Sequence, residues 1–341
     1  MAQFIPEFVF FEPDALNYPL GEELYHRFQA MDLPIRMTTS HNHVTGIPGD
    51  TANKAYRNAK KTLVVGVKKS FDLEQSKPSA DFSLPASTGC PAHCHYCYLQ
   101  TTMGNKPYVR VYVNVEDLLD TAQKYMERRA PQLTTFEAAC SSDPVAVEPY
   151  TGSLRKMIEF FGEQPLGRLR FVTKFDKVDS LLDANHNGHT RFRFSLNSAY
   201  VIRNFEPFTA SFKERVEAAG KVARAHYPLG FILAPLMIYE GWQADYTDML
   251  ERLADELIPE ATEDLTFELI MHRFTATAKK IIQVRYPKSK LVMNEADRKY
   301  KWGKYGKGKW VYKNDEAQVL REHVQSEIER CFPKAKVEYF T

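Results

Sequence analysis

Short apolar runs of strand length alternate, from residue 81 onward, with longer segments whose apolar residues recur every three or four positions. The short runs predict strands and the longer segments predict helices. The predicted strands are 133–140, 169–175, 191–198, 230–238 and 265–274, after a candidate first strand at 81–85. The predicted helices are 115–129, 152–163, 207–226 and 243–258. Strands joined by helices in this order predict an α/β fold with a parallel sheet.

Two architectures satisfy this pattern, a doubly wound sheet and a full or partial (β/α) barrel. In both, functional side chains gather at the carboxyl ends of the strands. We expect residues 1–80 to form an N-terminal extension that packs on a barrel at 81–290, and residues 291–341 to form a C-terminal region. The first residues lack a basic leader, and no later segment is apolar over the length of a membrane helix. We therefore expect a cytoplasmic protein with no membrane segment.

The chain contains five cysteines, and three of them lie close together as Cys90, Cys94 and Cys97. An odd number with this clustering indicates metal ligands or reactive thiols rather than a disulfide framework. Three thiolates on one loop can bind three irons of a cubane cluster and leave the fourth iron open. Zinc is the alternative, because His93 and His95 could complete a tetrahedral site. The position of the loop between a predicted strand and a predicted helix favours the iron–sulfur cluster.

The CxxxCxxC spacing, with the aromatic Tyr96 before the last cysteine, resembles the signature of the radical S-adenosylmethionine (SAM) superfamily. The resemblance implies a partial (β/α)6 TIM-type barrel and a 4Fe-4S cluster held by Cys90, Cys94 and Cys97. It also implies that the open iron binds SAM, and that one electron cleaves SAM to methionine and a 5′-deoxyadenosyl radical. The protein would position and shield this species.

Superfamily members carry SAM contacts at successive strand ends, and this resemblance selects five positions here. Ser142, with Asp143 second, replaces a Gly-Gly-Glu-Pro-like stretch that this sequence lacks. The other four candidates are Lys174 for the methionyl carboxylate, Ser195 for the carboxylate or ribose, and Ala234 and Tyr96 on the two sides of the adenine. Taken alone, a serine or lysine at a strand end is more often a helix cap or a solvated residue.

Cys140 ends the predicted strand 133–140, at the level where SAM should lie, and a thiol there could donate a hydrogen atom. The sequence resembles the spore photoproduct lyase family over nearly the whole chain. The matching features are the stretches STGCPAHCHYCYLQ, TTFEAACSSDPVAVEP and RKYKWGKYGKGKWVYK. Cys331, in contrast, is interpreted as a packing residue.

The lyase resemblance implies a DNA repair enzyme of sporulation, which reverses 5-thyminyl-5,6-dihydrothymine to two thymines. The deoxyadenosyl radical would remove the C6 hydrogen, the methylene bridge would break, and Cys140 would quench the remaining thymine radical. The resemblance assigns Tyr96 and Tyr98 to a relay that returns a hydrogen atom to regenerate SAM. Packing aromatics are the alternative role for both tyrosines.

Residues 279–313 contain twelve lysines and arginines against two acids, although the whole chain has a net charge of +2. The β-favouring flanks of a glycine-rich stretch predict a C-terminal β-hairpin, which could bind double-stranded DNA through phosphates and stacked aromatics. Because a lesion in a stacked duplex cannot reach a buried cofactor, we expect it to be flipped out. The predicted DNA-binding residues are Arg298, Lys301, Trp302, Lys304, Tyr305, Lys307 and Lys309.

Two other functions fit the sequence less completely. A radical SAM enzyme that modifies tRNA would also have a basic surface, but the sequence has no second cysteine cluster or added RNA-binding domain. A non-enzymatic iron–sulfur or zinc module that binds nucleic acid is the third interpretation. We expect the enzyme to act as a monomer and to require an electron donor that the sequence does not identify.

Overall fold

The structure, a computed structural model, describes residues 4–104, 107–262, 264–303 and 308–341. Its strands are β1 (Phe8–Phe11), β2 (Ile35–Met37), β3 (Thr62–Gly66), β4 (Phe82–Ser83), β5 (Ser87–Thr88), β6 (Val109–Tyr112), β7 (Thr134–Glu137), β8 (Gly167–Thr173), β9 (Thr190–Leu196), β10 (Leu229–Leu236), β11 (Thr266–Met271), β12 (Lys299–Trp302), β13 (Gly308–Val311) and β14 (Lys336–Phe340).

The helices are α1 (Pro19–Ala30), α2 (Ala52–Lys60), α3 (Leu99–Thr102), α4 (Val115–Arg129), α5 (Glu148–Thr151), α6 (Ser153–Gly162), α7 (Ala199–Phe205), α8 (Phe212–Arg224), α9 (Trp242–Glu256), α10 (Ala276–Arg285) and α11 (Asn314–Cys331). Short 3-10 helices lie at Pro13–Asn17, Pro144–Ala146, Asp179–Leu181, Pro259–Thr262 and Glu295–Asp297. Within the described residues, none of these helices combines the length and the apolar run that crossing a membrane requires.

The chain divides into two compact units. The N-terminal unit comprises Ala2–Pro91 and Met103–Phe192, and the C-terminal unit comprises Ala92–Thr102 and Arg193–Thr341. The chain passes between the units after Pro91, after Thr102 and, within β9, after Phe192. The three-part organisation into 1–80, 81–290 and 291–341 remains a prediction.

Two sets of strands form the N-terminal unit. One is a sheet in the order β2-β1-β3-β6-β5, in which all neighbours are parallel except β5 and β6. Val9, Leu63 and Val109 from its strands are buried against Phe28 of α1. The other set is β4-β7-β8, also parallel, with Phe82 opposite Phe136 and Phe136 opposite Leu169.

The C-terminal unit contains the parallel strands β10, β11 and β14 in that order, and the antiparallel pair β12–β13. A buried ion pair links β9 to β11, since Arg193 Nη1 lies 2.7 Å from Glu268 Oε1 and both side chains are 1% exposed. Tyr339 of β14 donates its hydroxyl hydrogen bond to the same carboxylate. These strands and the helices around them confirm the mixed α/β class, whereas the partial (β/α)6 barrel and its extensions remain predictions.

Several predicted bounds were wrong at the ends of elements. Strand 133–140 stops at Glu137, whose own carboxylate accepts a hydrogen bond from Ala139 N (3.1 Å) and turns the chain out of the sheet. Helix 207–226 begins only at Phe212, because Ser211 and Glu214 form a capping box. The cysteine loop does not follow β4 directly, since β5 intervenes and pairs with β6. Element ends predicted from hydrophobicity alone do not take account of such side-chain hydrogen bonds.

Candidate active site and nucleic-acid interface

The three clustered cysteines belong to different units. Cys90 follows β5 in the N-terminal unit, where its carbonyl accepts a hydrogen bond from the Lys60 ammonium. Cys94, which is buried, and Cys97, which is half-buried, precede α3 in the C-terminal unit. None of these three cysteines forms a disulfide, so the donor set fits an iron–sulfur cluster. The described residues present no group of three Cys, His, Asp or Glu side chains already gathered for a metal ion.

Both histidines of the cysteine loop have contacts within the C-terminal unit. The ring of His95 stacks on Tyr286 at 4.1 Å, and its Nδ1 lies 2.8 Å from Ser289 Oγ. Burial lowers the pKa of His95, which favours the neutral ring. The His93 ring lies 4.8 Å from that of Phe208. These contacts give both residues a role in holding the loop.

Tyr96 is fixed by a buried ion pair that the sequence did not reveal. Its hydroxyl donates to Glu206, and Glu206 Oε2 lies 2.6 Å from Arg215 Nη2, with both side chains fully buried. Burial first, and then the Glu206 carboxylate, raise the pKa of Tyr96 well above its usual value. Tyr96 therefore keeps its phenolic hydrogen at neutral pH. Tyr98, by contrast, is 59% exposed.

Cys140 lies in the turn after β7 and is half-buried. Its Sγ is 2.9 Å from Ser76 Oγ, and the backbone carbonyl of Glu137 lies 3.9 Å from the same sulfur. Ser76 was missed, because it falls 64 residues earlier in a segment that the sequence assigned to the N-terminal extension. The hydroxyl contact fixes the side chain of the thiol at the carboxyl end of its strand.

Three other predicted residues lie at strand ends in the same unit. Ser142 is buried and accepts a hydrogen bond from Ser87 Oγ at 3.0 Å. Asp143 accepts bonds from Thr173 Oγ1 and from the backbone N–H of Lys174, each at 2.8 Å. The Asp143 carboxylate thus connects the ends of β7 and β8. Lys174 directly follows β8, as the sequence predicted.

Ser195 and Ala234 lie on strands of the C-terminal unit. Ser195 is buried in β9, and its carbonyl accepts a bond from Arg215 Nη1 at 2.8 Å. Ala234 is half-buried in β10, at a point where the pairing with β11 changes register. The SAM contacts proposed for both residues remain predictions.

The basic segment forms the antiparallel pair β12–β13, with Lys301 opposite Lys309 and Tyr300 opposite Trp310. Trp302 is 71% exposed, and the ring of Tyr300 lies edge-on to it at 5.1 Å. Three predicted DNA-binding residues, Lys304, Tyr305 and Lys307, lie outside the described residues. The two flanking strands agree with the predicted hairpin.

Like charges gather on this pair of strands. Burial lowers the pKa of Lys309, and the nearby charges of Arg273 and Lys301 lower it further. Opposed cations destabilise a strand pair unless an anion lies between them, so this arrangement suits phosphate. Arg273, which follows β11, was not recognised from the sequence because it lies outside the basic segment. Arg298 differs from the other candidates, because its guanidinium lies 3.5 Å from the ring centre of Tyr312.

Comparisons with known proteins cover the whole chain. The family described as "Spore photoproduct lyase" matches residues 4–341. Spore photoproduct lyase of Geobacillus sp. (strain Y412MC61) is 57% identical over 100% of both chains. That of Bacillus subtilis (strain 168) is 56% identical over 99% of both.

A solved structure extends the likeness to the fold. It is a spore photoproduct lyase mutant with bound AdoMet and dinucleoside spore photoproduct, and it matches with a TM-score of 0.98, 56% identity and 100% coverage of both chains. The chain therefore belongs to the spore photoproduct lyase family of enzymes.

Proposed function

We propose that this enzyme repairs spore photoproduct in double-stranded DNA, using a SAM-derived radical and Cys140 as the hydrogen-atom donor. The observation that carries the proposal is the half-buried Cys140 thiol at the carboxyl end of β7, in a chain of this family. Functional groups of parallel α/β folds gather at such strand ends.

Cys90, Cys94 and Cys97 would hold a 4Fe-4S cluster, as their spacing and the family suggest. When bound, the cluster would supply the electron that cleaves SAM and so generates the radical that removes the C6 hydrogen of the lesion. Ser142, Lys174, Ser195, Ala234 and Tyr96 would hold SAM. Lys174 would neutralise the methionyl carboxylate, since a carboxylate removed from water requires a charged or hydrogen-bonding partner.

Cys140 acts after the methylene bridge has broken. The carbon-centred thymine radical takes the hydrogen atom of the thiol, so that a C–H bond forms, the S–H bond breaks and a thiyl radical remains. The thiol is suited to this step because its S–H bond breaks homolytically more readily than an unactivated C–H bond. Ser76, at 2.9 Å from the sulfur, holds the side chain in place.

Tyr96 and Tyr98 would then pass a phenolic hydrogen atom to the thiyl radical. The tyrosyl radical left behind would take a hydrogen atom from 5′-deoxyadenosine, which restores the deoxyadenosyl radical needed to regenerate SAM. The Glu206 carboxylate accepts the hydrogen bond of the Tyr96 hydroxyl and so fixes the direction of its O–H bond. Tyr98, the second member of the proposed relay, is 59% exposed.

The strands β12 and β13 would bind the duplex around the flipped lesion. Lys301 and Lys309 would contact phosphates, and Trp302, exposed at the end of β12, would stack on a base. Lys304, Tyr305 and Lys307, which lie outside the described residues, are also predicted to bind DNA. One such surface is sufficient for one lesion, so we propose a cytoplasmic monomer that receives its electron from a separate donor.

The direct test is repair by anaerobically reconstituted protein, supplied with SAM, a reductant and an oligonucleotide containing the lesion. We expect two thymines per lesion and no turnover of a tRNA substrate. A protein that contains iron and cleaves SAM, yet leaves the lesion intact, would contradict the proposal. Turnover on RNA instead would support a tRNA-modifying enzyme.

A further inference from the structure

We propose that Arg298 is a positioning residue, which fixes β12 and β13 on the C-terminal unit and does not itself bind phosphate. This inference rests on the proposed function, because it concerns how the enzyme holds lesion-containing duplex. It also revises the role predicted for Arg298 from its place in the basic segment.

The donors of the Arg298 guanidinium point toward the body of the unit. Nη1 donates to the carbonyl oxygen of His272 at 3.0 Å, and Nη2 lies 3.4 Å from His272 Nδ1. The guanidinium carbon lies 3.5 Å from the ring centre of Tyr312 and 5.9 Å from that of Phe274. A planar cation stacked on an aromatic face with its forked donors in use is typical of arginine, and lysine cannot reproduce it.

His272 is suited to accept these bonds. It is 4% exposed, and burial, followed by the charge of Arg298, lowers its pKa to about 3. The ring is therefore neutral near pH 7, with a nitrogen lone pair available for the Arg298 donor. A protonated ring in this position would repel the guanidinium.

Arg298 and Tyr312 flank the two strands at the same end of the pair, where Lys299 lies opposite Val311. Arg298 directly precedes β12, and Tyr312 directly follows β13. The Tyr312 hydroxyl accepts a bond from Ile238 N at 2.8 Å, which fixes its ring after β10. Arg298 thus connects the start of β12 to the segment after β11 through His272. Through its stack on Tyr312, it also connects the end of β13 to the segment after β10.

One further tether completes the attachment. Phe274 and Trp310 exchange two backbone hydrogen bonds, with N···O distances of 3.1 and 2.7 Å. Beyond this point, Lys301 and Trp302 are exposed. The orientation of the phosphate-binding lysines thus depends on the contacts at the base of the strands, where Arg298 lies.

The test compares Arg298→Lys with Lys301→Gln on two substrates, a lesion-containing duplex and the dinucleoside spore photoproduct. Arg298→Lys keeps the positive charge but loses the stacking on Tyr312 and the paired N–H donors that face His272. For this variant we expect the KM for duplex to rise about tenfold, because several phosphate contacts are displaced together. Its kcat on the dinucleoside, which has no flanking duplex phosphates, should fall less than twofold, whereas a phosphate contact would tolerate lysine on both substrates.

Hydrogen exchange gives a readout that does not depend on the cofactors. In Arg298→Lys the Trp310 amide, which donates to Phe274 O, should exchange faster, whereas in the control Lys301→Gln it should exchange at the wild-type rate. Wild-type behaviour of Arg298→Lys, or equal losses on duplex and dinucleoside, would overturn the inference. If the wild-type protein repaired neither substrate, the proposed function would be rejected. The exchange measurement would still test whether Arg298 fixes β12 and β13 on the C-terminal unit.

Discussion

The replacement Glu206→Gln tests the buried carboxylate that connects Tyr96 to Arg215. The substitution preserves the shape of the side chain and removes its charge. Arg215 would keep its bonds to Ser195 O (2.8 Å), Thr209 Oγ1 (2.7 Å) and Ala210 O (2.9 Å), but its positive charge would have no counterion in this site. Breaking a buried ion pair from one side costs about 3–5 kcal/mol, because the remaining charge stays desolvated.

The assay is equilibrium urea unfolding of the protein without cofactors, with Glu217→Gln as the matched control. Glu217 lies on α8, the helix that also carries Arg215, and pairs with Lys213 at 3.8 Å. The side chains of Glu217 and Lys213 are 60% and 73% exposed. An exposed pair contributes little, so the control should lose about 0.5 kcal/mol or less. Equal losses in the two variants would refute the reasoning, since they would mean that burial adds nothing to the Glu206 charge.

Three further predictions follow from individual residues. Cys140→Ala should still break the methylene bridge but should give thymine adducts in place of two clean thymines; an unchanged product distribution, measured by chromatography and mass spectrometry, would exclude Cys140 from the quenching step. Burial raises the pKa of Glu148 to about 7, so between pH 4.5 and 7 the native carboxyl retains a proton that the unfolded chain releases. The free energy of unfolding should therefore fall as the pH rises through this range, and Glu148→Gln should flatten that slope; the same slope in both proteins would contradict the shift. Lys309→Gln should weaken duplex binding uniformly across sequences and should reduce the salt dependence, log Kd against log salt, by about one. The exposed Lys54 of α2, changed in the same way, should leave that slope unaltered.

The helical part of the fold could be predicted where the local sequence carries its own signals. Helix α4 has the predicted bounds, and it has Glu116 and Asp117 in its first turn and Arg128 and Arg129 in its last. These charges complement the helix dipole and mark both ends. The start of α8 carried a comparable signal in the capping box, which the apolar periodicity alone did not reveal.

The site could be predicted only as far as strand ends and motifs define it. Cys140 and Lys174 were located by the strands that precede them, but Ser76 and Glu206 were not, because their partners lie 64 and 110 residues away. Arg215 offered one clue, since it occupies the same face of α8 as the apolar Phe212, Val216 and Ala219. A charged residue on a buried face requires a partner, although the sequence does not say which.

The hydrophobic periodicity of the sequence could not predict the strands of the N-terminal sheet. Its strands are three to five residues long where they pair in parallel, too short for periodicity to separate them from loops. The positioning role proposed for Arg298 could not be predicted from the sequence for a related reason. A run of cations indicates a binding surface, but the stacking of one of them on Tyr312 depends on tertiary contacts.

Repair carried out in D2O tests the central claim most directly, because a thiol exchanges its hydrogen with solvent and a carbon-bound methyl hydrogen does not. If Cys140 donates the hydrogen atom, one repaired thymine should carry a single deuterium in its methyl group, as measured by mass spectrometry of the released nucleosides. A wild-type product with no solvent deuterium, or one labelled equally by Cys140→Ala, would contradict the account.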